Sequence, residues 1–87
     1  MKLMIAVIRD VDDMPVLNQL IAKDFRVTRV ASTGGFLRKG NVTLFIGLPE
    51  ERVNEAVRIF QDTCCPPESN RHRATIFVVD APHFEQV

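Results

Sequence analysis

Three of the four strand-like segments in this chain are apolar on both faces. Leu3-Met4-Ile5-Ala6-Val7-Ile8, Leu44-Phe45-Ile46 and Ile76-Phe77-Val78-Val79 show no alternation of apolar and polar residues. Along a strand successive side chains point to opposite faces, so a sheet covered on one side should alternate. Unbroken apolar runs ask for cover on both sides. The chain has 87 residues and two segments with helical spacing, enough to cover one side only. The second side then needs cover from outside the chain, and the reading that follows is a homo-oligomer packed through its sheets.

The remaining elements fall into order around these runs. Asp12 or Asp13 is placed to cap a helix starting near Met14, with Pro15 tolerated in the first turn. Met14, Leu17, Leu20 and Ile21 then recur at helical spacing, and the helix is expected to end near Lys23. Phe25 to Ala31, with its β-branched residues, reads as a strand. Val42 to Ile46 reads as another, ended by Gly47. Pro49-Glu50-Glu51 opens a second helix with acidic residues at its positive end. Val53, Ala56, Val57, Phe60 and Cys64 mark its buried face, and Ala74 to Val79 is the last strand. The order βαββαβ predicts an α+β, ferredoxin-like fold: a four-stranded antiparallel sheet with two helices on one face. At this length the expectation is a single domain over residues 1–87.

Charge and cysteine usage narrow the chemistry. Eleven Lys and Arg balance eleven Asp and Glu, so there is no general pull toward nucleic acid, and an anion site must be local. The apolar run after Met1-Lys2 is six residues, too short for a signal-peptide core or a membrane span, and the expected location is the cytoplasm. Cys64 and Cys65 are adjacent and are the only cysteines. Neighbouring cysteines close a strained ring, and no second pair completes a zinc or redox motif. His72 and His83 lack ligand-spaced companions, and Asp10, Asp12 and Asp13 sit where helix caps are expected. No metal is expected.

All four glycines lie between Gly34 and Gly47, three of them in Ser32-Thr33-Gly34-Gly35-Phe36-Leu37-Arg38-Lys39-Gly40-Asn41. A Gly-Gly pair reaches positive φ and brings main-chain N–H groups close to whatever docks there. Thr33 and Asn41 add neutral hydrogen-bonding groups, Arg38 and Lys39 add charge, and Phe36 offers a flat face. The inventory suits a phosphate with a base attached. On the strand before this loop, Arg26 and Arg29 fall at even and odd positions and point to opposite faces.

The run Thr33-Gly34-Gly35-Phe36-Leu37-Arg38-x-Gly40-Asn41 resembles the PII-like cyclic-di-AMP receptor family. So do Met1-Lys2 through Ala6, Asp10-x-Asp12, Phe25-Arg26-x-Thr28, Glu51-Arg52-Val53, Thr63-Cys64, and Ala74 to Val78 followed by Asp80-Ala81. The resemblance implies a PII-like homotrimer that binds cyclic-di-AMP in clefts between subunits, catalyses nothing, and signals to a protein partner by reshaping its loops. It also implies ligand roles. Arg26 would face a phosphate; Thr28, Asn41 and the backbone at Gly47 would address an adenine; Gly35, Phe36 and Leu37 would wall its pocket. Phe77 would come from the subunit across the cleft, and Gln86 would supply a C-terminal contact.

One departure bears on the ligand. Family members carry a long, glycine-containing loop before the last strand, whereas this chain has only Cys65 to Arg73, with two prolines and no glycine. The alternative is therefore a PII-like sensor of ATP, ADP or another small effector. Arg71-His72-Arg73 could pair with phosphates in place of the lost loop, or simply be solvated. Two other classes fit poorly. Acylphosphatases share the element order, but their anion loop follows the first strand, where this chain has Arg9-Asp10-Val11-Asp12. An RNA-binding sheet needs an aromatic and basic motif, and this chain has no Trp or Tyr and no net charge.

Overall fold

Strand β1 (Lys2–Arg9) is one of the two inner strands of the sheet, hydrogen-bonded on both sides. It pairs antiparallel with β3 (Asn41–Leu48) on one side and with β4 (Ala74–Asp80) on the other, while β2 (Arg26–Ala31) pairs with β3 at the far edge. The strand order is β2-β3-β1-β4, all antiparallel. This computed structural model describes residues 1–31, 40–64 and 74–81. Helix α1 (Asp13–Ala22) joins β1 to β2, and α2 (Val53–Thr63) follows β3; each begins with a single 3-10 turn, Asp10–Asp12 and Glu50–Arg52. The architecture is ferredoxin-like, with both helices packed on one side of the sheet.

The core shows which side. Met4, Ala6 and Ile8 of β1 are buried, as are Val42, Leu44, Ile46 and Leu48 of β3, every second residue of each strand. Val16 and Leu20 of α1, Ala56 and Phe60 of α2, and Phe25 and Cys64 fill the space against them. Burying each large aliphatic or aromatic side chain stabilises by ~1.5–3 kcal/mol, so this single cluster is the main source of stability. Val53 and Val57 of α2 pack at its edge, which leaves the α2 face as the sequence pattern placed it.

The face of α1 differs from its expected one. Val16 and Leu20 are fully buried, Leu17 half-buried, and Met14 and Ile21 stand 57% exposed. Apolar residues occur all round this helix, so spacing alone does not single out a face, and the sheet selects the side carrying Val16. The acidic caps also differ. Neither helix has a side-chain cap. Asp12 instead accepts from Nε and Nη2 of Arg9 at 3.3 and 3.2 Å, and Asp13 accepts from Arg29 at 2.6 Å. Both carboxylates are buried, and for a buried charge an arginine partner offsets more of the desolvation cost than a peptide N–H does.

Helix α1 ends without glycine. Asp24 takes a left-handed φ of 64°, its N–H donates to the carbonyl of Ile21 at 3.0 Å, and the Phe25 N–H donates to that of Leu20 at 3.0 Å. These are the two bonds of a Schellman ending, with the apolar contact supplied by Phe25 and Leu20 in the core. Gly47 does not end β3, which continues to Leu48 because Leu3 and Lys2 of β1 extend the ladder.

Candidate functional site

The two faces of the sheet are unlike. Residues paired across antiparallel strands share a face, so the register places Arg26, Gly47, Leu3 and Val79 in one row on the side away from the helices. The next row is Thr28, Phe45, Ile5 and Phe77, then Val30, Thr43, Val7 and Thr75, and last Asn41 with Arg9. Among the described residues no helix lies over this face, and Val30, Phe77 and Val79 are 37%, 55% and 46% exposed. An apolar surface of this kind, rimmed by polar groups, marks an interaction site.

Five of the nine residues singled out from the sequence lie on this face away from the helices: Arg26, Thr28, Asn41, Gly47 and Phe77. Gly35, Phe36, Leu37 and Gln86 lie outside the described residues, as do Arg71, His72, Arg73 and His83. Arg26, Thr28 and Gly47 form one cluster, because Gly47 is the cross-strand partner of Arg26 and Thr28 is two residues further along β2. Thr28 and Phe77 belong to opposite edge strands with two strands between them, so their backbones are about 14 Å apart. Asn41 and Gly47 stand at opposite ends of β3, about 20 Å apart at the rise of a strand. The fold therefore does not bring Phe77 or Asn41 to the Arg26 cluster within one chain.

Arg29 faces the helices. Its guanidinium is held by Asp13, and the hydrogen bond and charge of that carboxylate push the Arg29 pKa further up. The two arginines of β2 thus divide between the face away from the helices and the face toward them, as their parity requires. Just before β3 the glycine requirement is explicit at one position. Gly40 has φ +92°, a Cβ there would meet nothing within 4 Å, and its carbonyl accepts from the Asp10 N–H at 2.7 Å. Backbone conformation, not crowding, is what demands glycine there.

Two residues of this face escaped the sequence reading. Thr43 is only 5% exposed, and its Oγ1 has no hydrogen-bond partner among the described residues. The available signal was a lone hydroxyl inside the apolar run Val42 to Ile46. Arg9 stands opposite Asn41 and is ion-paired with Asp12; only the register reveals that neighbour. Among the described residues no group of three or more His, Cys, Asp or Glu is placed to hold a metal ion. No described helix is long and apolar enough to cross a membrane.

A family model described as cyclic-di-AMP receptor matches residues 1–73. That span takes in Arg26, Thr28, the glycine-rich segment, Asn41 and Gly47, and stops short of β4 with Phe77. Among solved structures, the crystal structure of a functionally unknown protein from Pediococcus pentosaceus ATCC 25745 is similar with a TM-score of 0.80 and 34% sequence identity, over 99% of this chain and 96% of that one.

Proposed function

The chain belongs to the cyclic-di-AMP receptor family, and from that premise we propose that it is a non-catalytic, single-domain, cytoplasmic signalling protein. It binds cyclic-di-AMP in clefts between the subunits of a homotrimer and relays occupancy to a protein partner through its loops. The observation that carries this reading is the placement of Arg26, Thr28, Gly47 and Phe77 on the sheet face away from the helices, with Thr28 and Phe77 on opposite edges. Residues about 14 Å apart in one protomer meet across a cleft when the edge of one sheet abuts the opposite edge of the next. The exposed Phe77 and Val79 support such an assembly, since a trimer covers apolar surface that the chain leaves in water.

The roles proposed for the site residues are those the family resemblance implies. The Arg26 guanidinium pairs with a phosphate of the ligand, and neighbouring Thr28 and the Gly47 backbone hydrogen-bond an adenine edge. Gly47 leaves room for a base to approach the main chain. Phe77 of the adjacent subunit stacks on that base. Asn41, at the loop end of β3, works with Gly35, Phe36 and Leu37 at the other part of the ligand, and Gln86 adds a contact from the tail. The short connection Cys65 to Arg73 favours a second reading, a sensor of ATP or ADP in the same clefts.

Calorimetric titration with cyclic-di-AMP, alongside ATP, ADP and cyclic-di-GMP, tests the reading. The expected result is saturable binding of cyclic-di-AMP with one ligand per subunit. Heat from ATP or ADP alone would replace it with the second reading, and silence with all four would overturn both.

A further inference from the structure

Arg26 occupies a weak point of the sheet. It is the first residue of β2, an edge strand, and its rung is the last of the β2–β3 ladder, opposite Gly47. An edge strand is hydrogen-bonded on one side only, and terminal rungs open at low free energy. Glycine across the rung brings no side chain to pack against. The position of the backbone at Arg26 therefore depends on what holds the chain just before it.

The preceding residue is Phe25, 6% exposed and part of the core. Asp24 turns the chain there in its left-handed conformation, so the junction from α1 to β2 is a tight and strained one. Arg52, from the turn that opens α2, closes over it. The Arg52 guanidinium carbon lies 3.9 Å from the centroid of the Phe25 ring. Its Nη2 donates to the Lys23 carbonyl at 2.8 Å, and its Nε donates to Glu55 at 2.9 Å. One planar side chain thus covers Phe25 by cation–π contact, takes up a carbonyl at the C-terminal end of α1, and is itself oriented from α2.

We infer that Arg52 is a positioning residue for the binding face. By clamping Phe25 it holds the start of β2 and fixes the place from which Arg26 reaches the ligand. The role of Arg26 rests on the function proposed above; the clamp on β2 does not. The competing account makes Arg52 a surface arginine whose only partner of note is exposed Glu55, a pair that contributes little.

Hydrogen exchange on the ligand-free protein, comparing wild type with Arg52→Ala, Arg52→Lys and Glu55→Gln, separates the two. Protected amides among Arg26, Val27 and Thr28 are expected to exchange about tenfold faster in Arg52→Ala relative to those of Ile5 and Ala6, which report global opening. Arg52→Lys should fall between, since an ammonium keeps a cation over the ring but lacks the fork that serves two acceptors. Glu55→Gln should match wild type. Uniform acceleration across all amides, or a Glu55→Gln effect equal to that of Arg52→Ala, overturns the clamp. In the folded Arg52→Ala protein cyclic-di-AMP affinity should drop several-fold, and adding it to Arg26→Ala should cost nothing further; fully additive losses overturn the link to Arg26. Wild type that binds no cyclic-di-AMP defeats the proposed function, while the exchange result still decides on the clamp.

Discussion

Arg26 and Arg29 lie three residues apart on one strand, and replacing each with alanine should break different properties. In the proposed role, Arg26→Ala removes a charge-assisted contact to phosphate, worth about 1.5–3 kcal/mol. At 1.4 kcal/mol per tenfold, cyclic-di-AMP should bind roughly 10- to 150-fold more weakly. On the helix face, Arg29→Ala leaves the ligand side intact but strands Asp13. That carboxylate is 5% exposed, loses its 2.6 Å partner at Oδ2, and already has no hydrogen bond at Oδ1 among the described residues. A buried carboxylate without a partner destabilises the fold, although the Arg29 side chain is 42% exposed, so water screens part of the loss. The expected result is a melting temperature lowered by several degrees, with near-normal affinity at temperatures where the protein is folded. Calorimetric titration and thermal unfolding on both variants give the answer. Unchanged affinity in Arg26→Ala, or equal affinity losses in both variants, would refute the assignment of the two faces.

Three further outcomes are expected. Asp24→Gly should stabilise the fold by ~0.5–1 kcal/mol, because glycine adopts φ 64° without a Cβ penalty and takes a carboxylate off the negative end of α1; denaturant unfolding measures it, and Asp24→Ala should destabilise. Gly40→Ala should cost about 1–2 kcal/mol from backbone strain alone, since φ is +92° and the space around a Cβ is empty; a neutral result would mean that the turn relaxes. The exposed Lys2–Asp80 pair holds the Asp80 pKa below, and the Lys2 pKa above, its ordinary value, each first through their hydrogen bond. Its contribution is then complete between about pH 5 and pH 9, is lost as pH falls through the lowered Asp80 pKa, and is lost as pH rises through the raised Lys2 pKa. The small difference in melting temperature between wild type and Asp80→Asn should therefore close at both extremes.

Much of the architecture was legible in residue order. The βαββαβ arrangement, the apolar face of α2 and the opposite facing of Arg26 and Arg29 all follow from periods of 3.6 and 2, which are local properties of a helix and a strand. The double-sided apolar runs asked for cover on a second face, and Leu3, Ile5, Phe77 and Val79 lie on the side away from the helices. The specific loop motif Thr33 to Asn41 identified the family, although those residues say little about how the site is assembled. The buried face of α1 was not legible, because that helix is apolar all round and only the sheet beneath it selects Val16 over Met14. The partner of Asp13 was not legible either, since Arg29 lies sixteen residues away.

What the sequence by itself determined is therefore the set of elements, their order and the chemistry carried by each. Those features arise from interactions a few residues apart, where spacing along the chain equals spacing in space. Tertiary structure alone decided which residues are neighbours. It set Arg26 beside Gly47, placed Phe77 on the edge strand opposite Thr28 with two strands between them, and brought Arg52 over Phe25. Each of these depends on strand register and packing between distant segments, and no local pattern encodes a distance that is settled only when the core closes.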